Sequence, residues 1–221
     1  MTGIRVEEEP IRLRDHEPTP TTFSVGIVLT YDPGIHNLQR LVLVQQRISK
    51  KWGIIAGGVK TRFNAHTGLA ERPREGAIRE LLEETGLPLE VITPIYLAGT
   101  MIVPSEGKMR LGWIYQSEID VSSSEHEADL KSNYNLIRGF VPKNSEEIFL
   151  VRAFTQNQVH GLITHPKRLY KPEFNLPVLR RWLYEILADK YSPWGGDSFA
   201  EMVVSGRYGL DRSASEIFIE R

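Results

Sequence analysis

No cysteine occurs anywhere in the 221 residues, which excludes disulfides, thiolate metal sites and a cysteine nucleophile. An excess of either charge is also missing: 27 Lys+Arg stand against 28 Asp+Glu, a formal net charge of −1. That balance argues against a chain that coats nucleic acid by bulk charge. No apolar run approaches the roughly 18–20 residues that span a bilayer. The N-terminus carries Glu7, Glu8 and Glu9 where a secretory signal would place its apolar core. These absences lead to the expectation of a soluble, cytoplasmic protein whose function lies in local chemistry. Hydrophobic residues make up 41% and charged residues 25%, enough to bury a core as one large domain or a domain with an extension.

Residues 1–21 are polar and proline-bearing and read as a tail or edge segment. From Phe23 to Tyr31 the chain is apolar and β-branched, and Asp32-Pro-Gly34 then turns it. Leu41–Val44 and Trp52–Val59 read as further strands, the second ending on Gly57-Gly58. Thr61–Ala70 has loop character. A helix is expected over 73–85, with Pro73 in its first turn, Ile78, Leu81 and Leu82 as its apolar stripe, and Gly86 at its end. Val91–Val103 and Met109–Ile119 are strand candidates around a turn at Pro104–Gly107. Residues 120–145 read as a long polar loop lying over a site. Ile148–Phe154 is a strand, Thr155 a cap for a helix to Ile163, and 176–191 the clearest late helix. No internal repeat is present.

The chemistry concentrates in Glu71-Arg-Pro-Arg-Glu-Gly-Ala-Ile-Arg-Glu-Leu-Leu-Glu-Glu-Thr-Gly-Leu87. On a helix, Glu80, Glu83 and Glu84 are three and four residues apart and project from one face. Like charges at that spacing repel by a few tenths of a kcal/mol per pair unless something offsets them. A hard cation does so: Mg²⁺ takes a few carboxylates, keeps waters and accepts phosphate oxygens. The alternative for three glutamates alone is a solvated acidic face. Arg79 could pair with Glu71 or with a member of the cluster and fix its orientation.

The pattern is longer than three glutamates. Glu71, seven intervening residues, then Arg79-Glu80-Leu81-x-Glu83-Glu84-x-Gly86-Leu87 resembles the second half of the Nudix box at every specified position. Gly57-Gly58 resembles the glycine pair that opens the box, and Leu43-Val-Gln-Gln-Arg47 the strand leading into it. The resemblance covers roughly residues 22–165. It implies an α/β (α+β) fold, a Nudix-like αβα sandwich with a mixed β-sheet, here followed by a C-terminal helical extension over 166–221. It also implies Glu80, Glu83 and Glu84 as metal ligands with the Gly58 carbonyl, Mg²⁺ or Mn²⁺ as the ion, and Glu71 with Arg79 as the supporting pair. Two departures stand out. Twelve residues separate Gly58 from Glu71, more than the family pattern places there, and Ala56 occupies a position where many members have proline.

Charge is divided along the chain. Gln45–Arg62 holds five basic residues (Arg47, Lys50, Lys51, Lys60, Arg62) and no acid, while Glu71–Glu90 holds six glutamates against three arginines. A cationic strip beside a metal-binding cluster suits a polyphosphate, with Arg47 and Arg62 the substrate-binding candidates. The implied reaction is attack of water on a phosphoanhydride of a nucleoside diphosphate linked to another moiety, with a carboxylate accepting the proton. The base is either a box glutamate (Glu80, Glu83) or one outside it: Glu146, Glu147, Glu125, Glu127 or Glu118. Trp52, Tyr115, Tyr134 and Phe140 are the aromatics weighed for stacking on a base, Tyr115 more readily as core. His160–Trp182, with five Lys/Arg against one Glu, reads as a solvated helix face in preference to a phosphate site. A nucleotide sensor that does not cleave is the competing function. An isoprenoid diphosphate isomerase, which would want a cysteine, comes last. The expected partner is a small nucleotide, with no membrane and no bulk nucleic acid; homodimerisation through the terminal extensions rests on analogy.

Overall fold

A computed structural model describes residues 22–34, 39–60, 71–105, 108–122, 124–143, 146–191 and 218–219. The N-terminal tail, the Thr61–Ala70 segment with Arg62, and nearly all of the last 30 residues lie outside the described residues.

The described strands form one mixed sheet around β1 (Thr22–Tyr31). On one edge, β1 pairs in parallel with β6 (Lys108–Ile119) along its whole length, from Thr22↔Arg110 to Tyr31↔Ile119. On the other edge it pairs antiparallel with β4 (Ile55–Gly58) through Ser24–Ile27 and with β2 (Arg40–Gln46) through Thr30–Tyr31. β2 also carries β3 (Trp52–Gly53) and β7 (Ile148–Phe154). β5 (Tyr96–Ser105) lies outside β6, and β8 (Phe218–Ile219) outside β5.

Alternation along β1 divides the core into two layers. Val25, Ile27 and Leu29, all fully buried, face α1 (Pro73–Thr85) and pack with its Ala77 and Leu81. Val28 faces the other way, toward α3 (Gln156–Ile163) and α4 (Pro172–Tyr191). Phe174, Val178, Leu179, Trp182 and Leu183 give α4 its buried stripe at helical spacing. The arrangement is an αβα sandwich. Phe174 fits because glycine faces it on two adjoining strands: a Cβ on Gly26 would lie 3.2 Å from its ring, and one on Gly112 2.8 Å.

Four expectations shift in detail. In α1 the inward residues are Gly76, Ala77, Leu81, Glu84 and Thr85, while Leu82 is exposed. The stripe from 91 to 103 is interrupted: Pro88 and Pro94 bracket a short 3₁₀ turn (Leu89–Val91), and β5 begins only at Tyr96. The expected 120–145 loop contains a helix, α2 (Ser124–Ser132), tied down by buried Leu130 and Leu136. α4 begins at Pro172, a turn before the expected start, because proline is well suited to a first helical turn.

Candidate active site

α1 is built to hold its carboxylates still. Glu75 Oε2 accepts the Arg72 backbone N–H (3.0 Å) at the N-terminus, and Pro73 follows. Gly86, at φ 65°, closes the C-terminus with its N–H on the Leu82 carbonyl (2.9 Å). Leu81, fully buried, anchors the helix to the sheet, a burial that stabilises by roughly 1.5–3 kcal/mol.

Arg79 is the hub of the site. Its Nε donates to Glu71 Oε1 (2.7 Å) and its Nη2 to Glu71 Oε2 (3.2 Å). Nη1 donates to Glu80 Oε1 (2.6 Å) and Glu83 Oε2 (2.9 Å), and Nη2 also reaches the Gly58 carbonyl (2.8 Å). Glu71 accepts in addition the Lys60 N–H (2.7 Å) and donates its own N–H to the Lys60 carbonyl (3.3 Å). Those two bonds join residues 60 and 71, and Gly58 stays within hydrogen-bond reach of Arg79 despite the extra length of sequence between Gly58 and Glu71.

Burial and charge act on these groups in opposite directions. The Arg79 hydrogen bond holds the Glu71 carboxyl below its ordinary value, and the carboxylates raise the Arg79 guanidinium. Desolvation pushes Glu80 up, against the pull of Arg79. It pushes Glu84 well up, against the Ala56 N–H that Glu84 Oε2 accepts (2.9 Å). Like-charge repulsion from Glu147 adds to both. Gly57 is needed for the fit: a Cβ there would stand 2.0 Å from Glu80 Oε1.

The sequence-predicted residues separate into two groups. Glu80, Glu83, Glu84, Arg79, Gly58, Glu146 and Glu147 line one open groove of about 660 Å³, together with Gln46, Tyr170 and Lys171. Glu125 and Glu127 sit exposed on α2, Glu127 paired with Lys131, and neither lines the groove. Of the cationic strip, Arg47 spends its guanidinium on backbone: Nε donates to the Glu146 carbonyl (2.9 Å) and Nη2 to that of Ile148 (3.2 Å), while its N–H donates to the Glu147 carbonyl (2.7 Å). Lys50 Nζ lies over the Phe149 ring. Besides Arg79, the cation in the groove is Lys171, from the segment read as a solvated face; of that segment's basic residues Lys167 and Arg168 are the exposed ones. Its position depends on where α4 begins, at Pro172 and not at the expected 176. Trp52 packs edge-on against Phe154, Tyr115 is buried, and Tyr134 packs edge-on against Phe140 with its hydroxyl on the Gly86 carbonyl. None of the four presents a free face to the groove.

The oxygens of Glu80, Glu83 and Gly58 converge on one cationic group, an all-oxygen donor set of the kind a hard divalent ion takes. As placed they converge on Arg79, and among the described residues no three acidic or histidine side chains stand close enough together to hold a metal. The donor chemistry fits; Arg79 would have to share its partners.

The NUDIX domain model matches residues 20–129. The chain belongs to the Nudix domain family. Solved structures of Nudix proteins are similar to it at low identity. A C. elegans Ap4A hydrolase in a binary complex is 15% identical, with 75% of this chain and 97% of that one covered and a TM-score of 0.48. The NUDIX domain of Shewanella oneidensis NrtR, complexed with ADP ribose, is 13% identical, with 78% and 94% covered and a TM-score of 0.48. A mutT/nudix family protein from Listeria innocua is 16% identical, with 79% and 99% covered and a TM-score of 0.47. No curated protein matches the Nudix chain in sequence. None of its described helices is long and apolar enough to cross a membrane.

Proposed function

We propose that this chain is a divalent-metal-dependent hydrolase that cleaves the phosphoanhydride bond of a nucleoside diphosphate linked to another moiety. The observation that carries the reading is the convergence of Glu80, Glu83 and the Gly58 carbonyl on one cationic point, in a groove that also holds Glu146 and Glu147. Glu80, Glu83, Glu84 and Gly58 would hold Mg²⁺ or Mn²⁺, and Glu71 with Arg79 would keep the ligands in register. Such an ion, when bound, polarises phosphate oxygens and makes a bound water more acidic.

The remaining work falls to the chain. Lys171 is placed to hold a diphosphate oxygen that the ion does not neutralise. Glu147, whose charge is felt at both Glu80 and Glu84, is the proposed base. It takes one proton from the attacking water as the new phosphorus–oxygen bond forms and the bridging anhydride bond breaks, the electron pair leaving on the second phosphate. Arg47 holds the segment bearing Glu146 and Glu147 by three hydrogen bonds and acts as a positioning residue.

The engagement of Glu71, Glu80 and Glu83 by Arg79 favours a second reading, a nucleotide sensor that binds and does not cleave. One experiment separates the two. Product release is followed from a panel of nucleotide diphosphate derivatives with and without Mg²⁺, for the native chain and for Glu83→Gln. Metal-dependent turnover that the substitution abolishes supports the hydrolase; tight binding with no turnover across the panel overturns it and leaves the sensor.

A further inference from the structure

The groove does not end at the carboxylates. Around the rim of β4 it continues into a second chamber of about 180 Å³ on the α4 side of the sheet, and Gln46, Ala56, Gly57, Gly58, Tyr170 and Lys171 border both spaces. The two are opposite in charge. The first is lined by five glutamates, Arg79 and Lys171. The second has Arg110 and Lys171 and, among the described residues, no acid.

Two polar atoms in the second chamber lack what a folded interior normally supplies. Ser24 is 5% exposed, and its Oγ has no hydrogen-bond partner among the described residues; Arg110 Nε is buried and equally without one. Buried donors are almost always satisfied, because an unmet one forfeits its hydration without return. Neighbouring strands present these two from one face: Ser24 pairs with Gly112 across the β1–β6 ladder, and Arg110 is two residues before Gly112. Gly112 leaves the space open, since a Cβ there would come within 3.4 Å of Ser24 Oγ and 2.8 Å of the Phe174 ring. At the boundary, Lys171 has φ 40°, a backbone conformation unfavourable for a lysine. Its carbonyl accepts the N–H groups of Phe174 and Asn175 (both 3.0 Å), and the Tyr170 N–H donates to the Trp52 carbonyl (2.8 Å). The start of α4 therefore holds a cation where the two spaces meet.

We propose that the second chamber is an anion subsite, taking a phosphoryl group of the substrate beyond the pair that spans the scissile bond. A phosphoryl oxygen accepts from both the Arg110 N–H and the Ser24 hydroxyl, and the absence of acids leaves it unopposed. The substrate class narrows to nucleotides carrying a third phosphate, on the ribose or further along a polyphosphate chain. The identity of the substrate rests on the hydrolase reading; the binding chemistry does not.

The test is calorimetry on the full chain in EDTA with adenosine, adenosine 5′-monophosphate, adenosine 3′,5′-bisphosphate and adenosine 5′-triphosphate. The expected result is that one of the last two binds at least tenfold more tightly than the monophosphate, and which one does so distinguishes ribose from chain. Arg110→Met is expected to remove that advantage while leaving monophosphate affinity within about twofold; Arg110→Lys retains part of it. Ser24→Ala, the smaller change, lowers it about threefold and stands in if Arg110→Met does not fold. Equal binding of all the phosphates, or an advantage that survives Arg110→Met, overturns the subsite. A loss of adenosine affinity in Arg110→Met also overturns it, by assigning the chamber to a base. Because turnover plays no part, a chain that binds as expected but never hydrolyses with Mg²⁺ would refute the hydrolase reading alone.

Discussion

Replacing Gly57 with alanine would set a methyl carbon 2.0 Å from Glu80 Oε1, 2.1 Å from its Cδ and 2.4 Å from Oε2. Ordinary contact begins near 3.4 Å, so the carboxylate must retreat by about 1.4 Å. Glu80 is a flexible side chain and can move, and in moving it gives up the 2.6 Å bond from Arg79 Nη1. A hydrogen bond to a charged group contributes about 1.5–3 kcal/mol. Here both partners keep some solvent contact and Arg79 retains Glu71 and Glu83, so a stability loss of about 1–2 kcal/mol is expected. That corresponds to a melting-temperature drop of roughly 2–8 °C. Activity should suffer more, because displacement of a catalytic ligand by about 1 Å costs on the order of 100-fold. Gly58→Ala is the matched control: its Cβ would meet nothing nearer than the Phe23 carbonyl at 4.0 Å, and it keeps the carbonyl. Turnover of the best substrate with Mg²⁺ and thermal melts of both variants check the reasoning. Gly57→Ala turning over within threefold of the native chain, or Gly58→Ala losing as much, would refute it.

Other predictions rest on separate features. Arg47→Met should speed amide exchange of Glu147 and Ile148 and lower kcat about tenfold with little change in KM; unchanged exchange at those amides would remove Arg47 from its positioning role. Asn175→Ala strips the buried Ile54 N–H of its acceptor (2.7 Å) and the Tyr170 carbonyl of its donor (2.6 Å). It should cost about 2–3 kcal/mol, read as a melting drop of roughly 4–12 °C, and a shift under 2 °C would contradict the account. Millimolar Mg²⁺ should raise the melting temperature of the native chain by mass action, and Glu83→Gln should reduce that rise; equal rises in both would place the ion elsewhere.

Much of the α1 region was readable because its signals are local. Pro73 and Gly86 bound the helix as expected, and Thr155 caps α3 with Gln158 returning the bond to its backbone N–H (2.9 Å). β7 also begins and ends where its apolar run does. Features set by long-range pairing were not readable. α2 lies in a Ser- and Asn-rich stretch with little amphipathic contrast, and is fixed by Leu130 and Leu136 reaching the core. Arg47 could be identified as basic and at a strand end, but its carbonyl partners lie about a hundred positions away, at 146 and 148. The second chamber is formed where β1, β6 and the start of α4 meet, three segments that share no sequence pattern.

The parallel pairing of β1 with β6 also governs the order in which the chain can be completed. Thr30 and Ser117, bonded side by side, are 87 positions apart. During synthesis β1 emerges first, and β2 and β4 can cover one of its edges soon afterwards, but its other edge has no partner until β6 follows. At roughly 5–20 residues per second that interval is on the order of 5–15 s, during which an apolar strand offers an unpaired edge to any other nascent chain. Ribosome-held chains stopped near residue 105 should therefore be cleaved readily within Val25–Leu29 and protected once the chain extends well past Ile119. Protection already complete at the shorter length would mean that β1 finds cover some other way.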